Sequence, residues 1–164
     1  MKRLVMTLMA LTLILSLAAC GGKGNDSQAK EAPDLAKYYE DFMASLGENA
    51  PAMMDANEDA SYVENFFPGL SGYELKQSVL QMAMISAVAF EFDLVECADA
   101  SDVEAVKAIF QERIDSQVNG GAFYPETTES WEKADLIVNG SVVALIVAGE
   151  EQAAAVEAFN ALFA

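Results

Sequence analysis

The chain has 164 residues, of which 26 are acidic, 9 are basic and none is histidine. Its formal charge of −17 leaves no basic patch that could neutralise phosphates, which excludes a nucleic-acid-binding protein. Histidine is the commonest general base and metal ligand, and the chain has none. We therefore expect no metal or other cofactor. An acidic surface can attract a cationic ligand, or it can simply keep a protein soluble.

The first twenty residues predict an export signal that ends in a lipid attachment site. Two basic residues precede an uncharged apolar run of 14 residues from Leu4 to Leu17. That run is shorter than the about 20 residues that cross a bilayer and fits a cleaved signal peptide. Residues 17–20, Leu-Ala-Ala-Cys, resemble a bacterial lipobox. We expect residues 1–19 to be removed and Cys20 to carry diacylglyceryl and palmitate-type chains at the outer face of the cell membrane; an ordinary secretory signal is the alternative.

A polar segment separates this anchor from the rest of the chain. Residues 20–32 are rich in glycine and polar side chains, so we expect a flexible tether that reaches roughly 20 Å. Without the signal peptide, 7 basic residues remain against 26 acidic ones, a formal charge of −19. Residues 33–164 are enough for a single domain with its own core. With Cys20 acylated, Cys97 has no partner for an intramolecular disulfide.

The first half of the domain contains one clear helix and one ambiguous segment. Apolar residues recur at helical spacing after Asp34 until Gly47 ends the pattern. Residues 48–72 are broken by proline and glycine. The stretch 75–85 fits either a strand or a helix, with a strand favoured in its second half. Whether residues 48–85 are mainly helical or extended stays open.

The second half gives a more regular pattern. Residues 90–97 alternate as a strand does. Ser101 and Glu104 predict a capping box at the start of a helix that ends near Gly120. Asn139-Gly140 predicts a two-residue hairpin turn between two apolar strands. Residues 150–163 predict a last helix.

This order of elements predicts an α+β fold. We expect an antiparallel sheet of about four strands with helices packed on one face, preceded by the signal-peptide helix and the tether. The apolar sides of the predicted helices would then pack against one side of the sheet.

Four stretches resemble a family of small lipoproteins from low-GC Gram-positive bacteria that is known as a domain of unknown function. They are FEFDLVECADASDVEAVKAIFQERIDSQ, GGAFYPETTESW, NGSVVALIVA and AFNALF, which together span most of residues 90–163, with a looser fit from about Asp34. The chain departs from the family at Ser141-Val142, where an aromatic residue is expected. The resemblance implies the architecture and a lipobox, and it implies no reaction.

No motif predicts a catalytic or metal-binding residue. Asp55, Asn57 and Asp59 match the first ligands of a calcium loop, but the required glycine and bidentate glutamate are replaced by Ala60 and Phe66. Two Ser-x-x-Lys matches lack the other elements of penicillin-recognising enzymes. Among 26 acidic residues, no feature singles out a carboxylate pair for glycoside hydrolysis.

The segment Gly120–Trp131 is the best candidate for a contact surface. It is predicted as a long connection, and it carries Phe123, Tyr124 and Trp131. Aromatic residues on such a connection can contact a ligand or a partner. The alternative is that they fold over the sheet as a lid.

These observations predict a lipid-anchored, non-catalytic binding or envelope-accessory module. Its partners would be the membrane, through Cys20, and an envelope protein or a cationic ligand. A small-solute-binding component of a transport system is one alternative. A carboxylate-based hydrolase of cell-wall polymer is another.

Overall fold

The computed structural model describes residues 32–164. The predicted signal peptide, Cys20 and nearly all of the predicted tether lie outside these residues. The described part forms one compact unit that contains five strands and two hydrophobic cores. A segment of this length can bury about two-thirds of its unfolded surface, so residues 32–164 hold what is needed to fold as a separate fragment.

The sheet is antiparallel throughout and has the strand order β1-β2-β3-β5-β4. The strands are β1 (Met53–Asp55), β2 (Leu75–Ala83), β3 (Glu91–Cys97), β4 (Asp135–Asn139) and β5 (Val142–Val147). The helices are α1 (Leu35–Leu46), α2 (Ala60–Phe66), α3 (Val103–Ser116), α4 (Pro125–Glu132) and α5 (Gln152–Ala161). The predicted α+β class is confirmed.

The sheet has one strand more than expected. The additional strand is β1, which lies in the segment whose structure the sequence left open and pairs with the far end of β2 through Met53↔Ala83. In the ambiguous stretch 75–85, residues 75–83 form a strand that pairs with β3 on one side and β1 on the other.

Helices cover both faces of the sheet, so the prediction that they lie on one face was wrong. Helices α2, α3 and α4 pack on the side that we call the α3 face, whereas α1 and α5 pack on the opposite side, the α1 face. The physical reason is that the central strands are buried on both sides: β5 is apolar throughout, and β3 has apolar residues on each face. Every residue of β3 and β5 is buried, and each face requires its own cover.

Two local predictions were shifted by a few residues. Asp99, and not Ser101, provides the cap before α3: its side chain accepts a hydrogen bond from the Ser101 amide at 2.8 Å. The β4–β5 turn consists of Gly140 and Ser141, since Asn139 still pairs with Val142. Gly140 takes the positive φ of 60° that the first position of such a turn favours in glycine.

Candidate functional site

A buried ion pair joins the central strand to the longest helix on the α3 face. Arg113 of α3 donates from Nε to Oε1 of Glu91 and from Nη2 to Oε2, each at 2.8 Å. The Glu91 side chain is 3% exposed and that of Arg113 is 11% exposed. Parallel double hydrogen bonds of this kind are the strongest arrangement of guanidinium and carboxylate. They hold the guanidinium plane in one orientation.

Asp93 lies two residues further along β3 on the same face and is fully buried. Its neighbours across the sheet are Leu80 and Leu145. Within residues 32–164, neither carboxyl oxygen of Asp93 has a hydrogen-bond partner. Burial, then repulsion from the Glu91 carboxylate and, in the protonated form, hydrogen bonding to it, raises the pKa of Asp93 well above its ordinary value, against an opposing effect of Arg113. Its surroundings therefore favour the uncharged form of the acid.

Two aromatic rings enclose the guanidinium of Arg113. Its Cζ atom lies 5.1 Å from the ring centroid of Phe66 in α2 and 5.3 Å from that of Trp131 in α4. Cation–π contacts at these distances are attractive, and they are stronger where water is excluded. Three helices and the sheet thus combine to fix one cationic group.

A cavity of about 340 Å³ opens over this ion pair. Its walls are mostly apolar, and Arg113 and Glu91 contribute the charged groups. Two exposed residues of the β2–β3 connection, Met84 and Ile85, border it. The apolar side chains around it include Met54, Phe66, Met82, Val88 and Trp131. Its volume lies within the range of small-molecule sites, which combine apolar walls with polar groups that orient the ligand.

The turn Gln117–Gly121 ends α3 at the wall of the cavity: Gly120 has a positive φ of 126°, and the Ala122 amide donates to the carbonyl of Gln117. Gly121 is needed there because a Cβ atom would lie 2.8 Å from Nε2 of Gln117 and 2.9 Å from the carbonyl oxygen of Ser116. This close approach places the Gln117 amide beside the cavity.

The three aromatic residues singled out in the sequence are placed differently from one another. Phe123 is 82% exposed and Tyr124 is half exposed, so neither folds over the sheet. Trp131 is 4% exposed and lines the cavity. The expected long connection is largely the helix α4, which begins at Pro125 and has Thr127 bonded to Tyr124 at its start.

The calcium-loop resemblance corresponds to helix capping. Asp55 accepts from the Asn57 amide and Asp59 accepts from the Ser61 amide, each at 2.8 Å. Within residues 32–164, no group of three or more His, Cys, Asp or Glu side chains could hold a metal ion. Cys97 is buried on the α3 face, and burial raises the pKa of its thiol.

Comparison with known proteins identifies a family to which the chain belongs. Residues 50–148 match the family described as a domain of unknown function (DUF4358). The chain belongs to this family. The resemblance noted from the sequence is confirmed to that extent, although the AFNALF tail, residues 158–163, lies beyond the match. No curated protein and no solved structure matches the chain.

The family region of the chain contains the whole site. Glu91, Asp93, Arg113, Phe66 and Trp131 all lie between residues 50 and 148, as does the complete sheet. Helices α1 and α5, which cover the other face, lie outside the matched residues. The cavity side of the fold is therefore the part that the family match covers.

Sequence reasoning did not find the Glu91–Arg113 pair, although one signal was present. Arg113 is the only arginine after Arg3, and it follows Phe110 by three residues. That spacing places it beside the apolar stripe of its helix. A single arginine next to a buried helical stripe requires a buried acidic partner, and Glu91 lies on the strand that the helix covers.

Proposed function

We propose that the protein is a lipid-anchored extracytoplasmic binding protein, and that its ligand is a small molecule bound in the cavity over Glu91 and Arg113. The cavity carries this proposal, because it combines an apolar wall with a fixed guanidinium and has a volume typical of ligand sites. The lipobox at residues 17–20 and the polar tether support the location at the membrane surface.

The geometry favours binding over hydrolysis. A hydrolytic pair needs two carboxyl groups that both reach the substrate. Here both oxygens of Glu91 accept hydrogen bonds from Arg113. Asp93 is fully buried and does not line the cavity. The two acids therefore do not form an acid and nucleophile facing a common substrate.

Trp131 provides the test, because it is the only tryptophan in the chain and it lines the cavity. We would follow its fluorescence and the melting temperature of fragment 32–164 with amino acids, short peptides, cell-wall fragments, apolar acids and their amides. A ligand at 100 times its Kd should stabilise the fold by about 2.7 kcal/mol. Both signals should change with the same compound.

A cavity-filling variant makes this test specific. Ala122 borders the cavity in extended backbone that accepts any side chain, so Ala122→Phe should reduce the volume and abolish both signals. Ala158→Phe is the matched control, since Ala158 is exposed on α5 at the other face. Ligand signals that survive Ala122→Phe unchanged would contradict binding in the cavity.

A protein partner is the second candidate, and the exposure of Phe123 favours it. An aromatic side chain that is 82% exposed on a helical scaffold can serve as a contact residue. Phe123→Ser should then remove crosslinks to an envelope protein in intact cells, whereas Val138→Ser, at an exposed apolar position of β4, should keep them. Equal crosslinking in both variants would exclude this role for Phe123.

A further inference from the structure

The guanidinium of Arg113 has hydrogen-bonding capacity that the fold does not use. An arginine has five N–H donors, and Glu91 occupies the edge formed by Nε and Nη2. Within residues 32–164, Nη1 donates no hydrogen bond to any group. The edge formed by Nη1 and Nη2 is therefore available, and Arg113 lines the cavity.

This edge has a fixed orientation that suits a planar acceptor. Glu91 fixes the guanidinium from one side, and the rings of Phe66 and Trp131 lie 5.1 and 5.3 Å from its Cζ atom. A donor pair that cannot rotate loses little entropy on binding. Two parallel N–H groups match the two oxygens of a carboxylate.

The distribution of charge is consistent with an anionic group at this point. The other basic residues of the described part are four lysines, each of which is already in an ion pair; three of these pairs are exposed, and Lys76 pairs with the nearly buried Glu96. Arg113 is the cation that faces the cavity. Asp93 is uncharged below its raised pKa, so Glu91 is the single negative neighbour on β3. A cationic ligand would meet Arg113 at short range and be repelled.

We propose that the cavity binds a small apolar molecule with a terminal carboxylate, whose two oxygens accept from the free Nη1–Nη2 edge of Arg113. The apolar part would lie against the methionine and aromatic walls. The Gln117 amide, which lies beside the same cavity, provides a further donor. This inference rests on the proposed function, since it names the ligand class of that same site.

The test compares each acid with its neutral primary amide. We would titrate fragment 32–164 with octanoate and octanamide, and with 3-phenylpropanoate and its amide, and follow Trp131 fluorescence and the heat of binding. The amide has only one oxygen and no charge, so it should bind at least about tenfold more weakly. N-acetyl-Leu-Leu, compared with octanoate, shows whether a peptide C-terminus or a fatty acid is preferred.

Two variants of the ion pair should change the affinity for octanoate in opposite directions. Glu91→Gln keeps a side chain of the same shape beside Arg113 but removes the competing negative charge, so octanoate should bind several-fold more tightly. Arg113→Lys keeps the charge but loses the planar fork, so octanoate should bind at least about tenfold more weakly. Octanamide should change little in Glu91→Gln. A merely structural role of the pair would not produce this difference between acid and amide.

The possible failures are distinguishable. If amides bind as tightly as acids, or if cationic probes bind and acids do not, the carboxylate inference is overturned while the cavity remains a ligand site. If no probe of any class changes Trp131 fluorescence or the melting temperature, the proposed function itself fails. If Glu91→Gln does not fold, the comparison of acid with amide on the unchanged fragment still tests whether the cavity prefers a carboxylate.

Discussion

At the scale of single residues, Asp93 is the most unusual group in the molecule. A buried carboxyl without hydrogen bonds costs free energy in either protonation state, and the charged state costs more. Here the neighbours across the sheet are leucines, and Glu91 adds repulsion. The protonated form is therefore the one that is compatible with the fold.

The first prediction concerns the pH dependence of stability. Because the folded pKa of Asp93 is raised above its ordinary value of 3.8, the folded protein binds one proton more than the unfolded chain between these two pKa values. Stability should therefore fall with rising pH in this window. Relative to Asp93→Asn, we expect the unchanged protein to lose about 1.4 kcal/mol per pH unit from about pH 4 upwards. Urea unfolding between pH 4 and pH 8 measures this.

Asp99 is the matched control for that experiment. It is an exposed cap whose pKa is lowered by hydrogen bonds from Ser101. Its contribution is fully present above its unfolded pKa and is lost only as the pH falls below 3.8, so the stability difference between Asp99→Asn and the unchanged protein should stay constant from about pH 4 to pH 8. Parallel pH profiles for Asp93→Asn and the unchanged protein would show that Asp93 does not titrate as we describe.

The residue-level features were only partly predictable from the sequence. The capping role of Asp99 is local and was misassigned by two residues, because Asp99 and Ser101 can both cap a helix at this point. In the sequence, Glu91 and Asp93 alternate with apolar residues, a pattern that predicts the polar side of a half-exposed strand. Their burial depends on a helix that covers the sheet from a distance in sequence, which alternation alone does not reveal.

At the scale of elements, the Glu91–Arg113 pair ties β3 to α3. Removing one member of a buried pair leaves the other charge unpaired, and this typically costs about 3–5 kcal/mol. We expect Arg113→Met to destabilise fragment 32–164 by that amount in urea unfolding. The double variant Glu91→Met/Arg113→Met replaces both charges with apolar side chains and should recover most of the loss. An equally unstable double variant would mean that packing volume, and not charge, explains the effect.

The helices of the α1 face provide the second prediction at this scale. Residues 50–148 contain the sheet but lack α1 and α5, so this fragment would expose the apolar residues of that face, among them Phe92, Leu94 and Ile146. We expect fragment 50–148 to be unfolded or aggregated, and fragment 32–164 to unfold cooperatively, as measured by circular dichroism. A stable fragment 50–148 would show that α1 and α5 are dispensable.

The elements themselves were largely predictable, whereas their arrangement was not. The helix after Asp34 and the β4–β5 hairpin follow from spacing and turn residues. The face of the sheet that each helix covers depends on long-range contacts. One of these is the 2.8 Å hydrogen bond from the Tyr38 hydroxyl of α1 to the carbonyl of Ala155 in α5. Helix α4 was missed because its apolar stripe is short, although Pro125 was a start signal.

At the scale of the whole molecule, the proposal combines a membrane anchor with a binding domain. Within residues 32–164, no helix is long and apolar enough to cross a membrane. The proposed anchor depends on residues before the described domain, and the formal charge of −19 expected without residues 1–19 would oppose contact with anionic lipid. Acylation of Cys20 is the simplest way to hold such a domain at the membrane.

The fourth prediction follows from the proposed anchor. Cys20→Ser should abolish incorporation of labelled palmitate and move the protein from the membrane fraction to the soluble one or leave it as the uncleaved precursor. Cys97→Ala is the control, because Cys97 is buried in the core and should carry no lipid. Labelled palmitate in the Cys20→Ser variant would contradict the anchor.

The central claim is that Arg113 and Trp131 form a ligand site, and fragment 32–164 has one arginine and one tryptophan. In a nitrogen-15 NMR spectrum, the guanidinium and the indole therefore each give a single set of side-chain signals. On titration with octanoate, we predict that both sets shift together, with the Nη signals of Arg113 moving downfield as they donate to the carboxylate. If both sets stay in place while signals of other residues shift, the cavity over Glu91 and Arg113 is not where this ligand class binds.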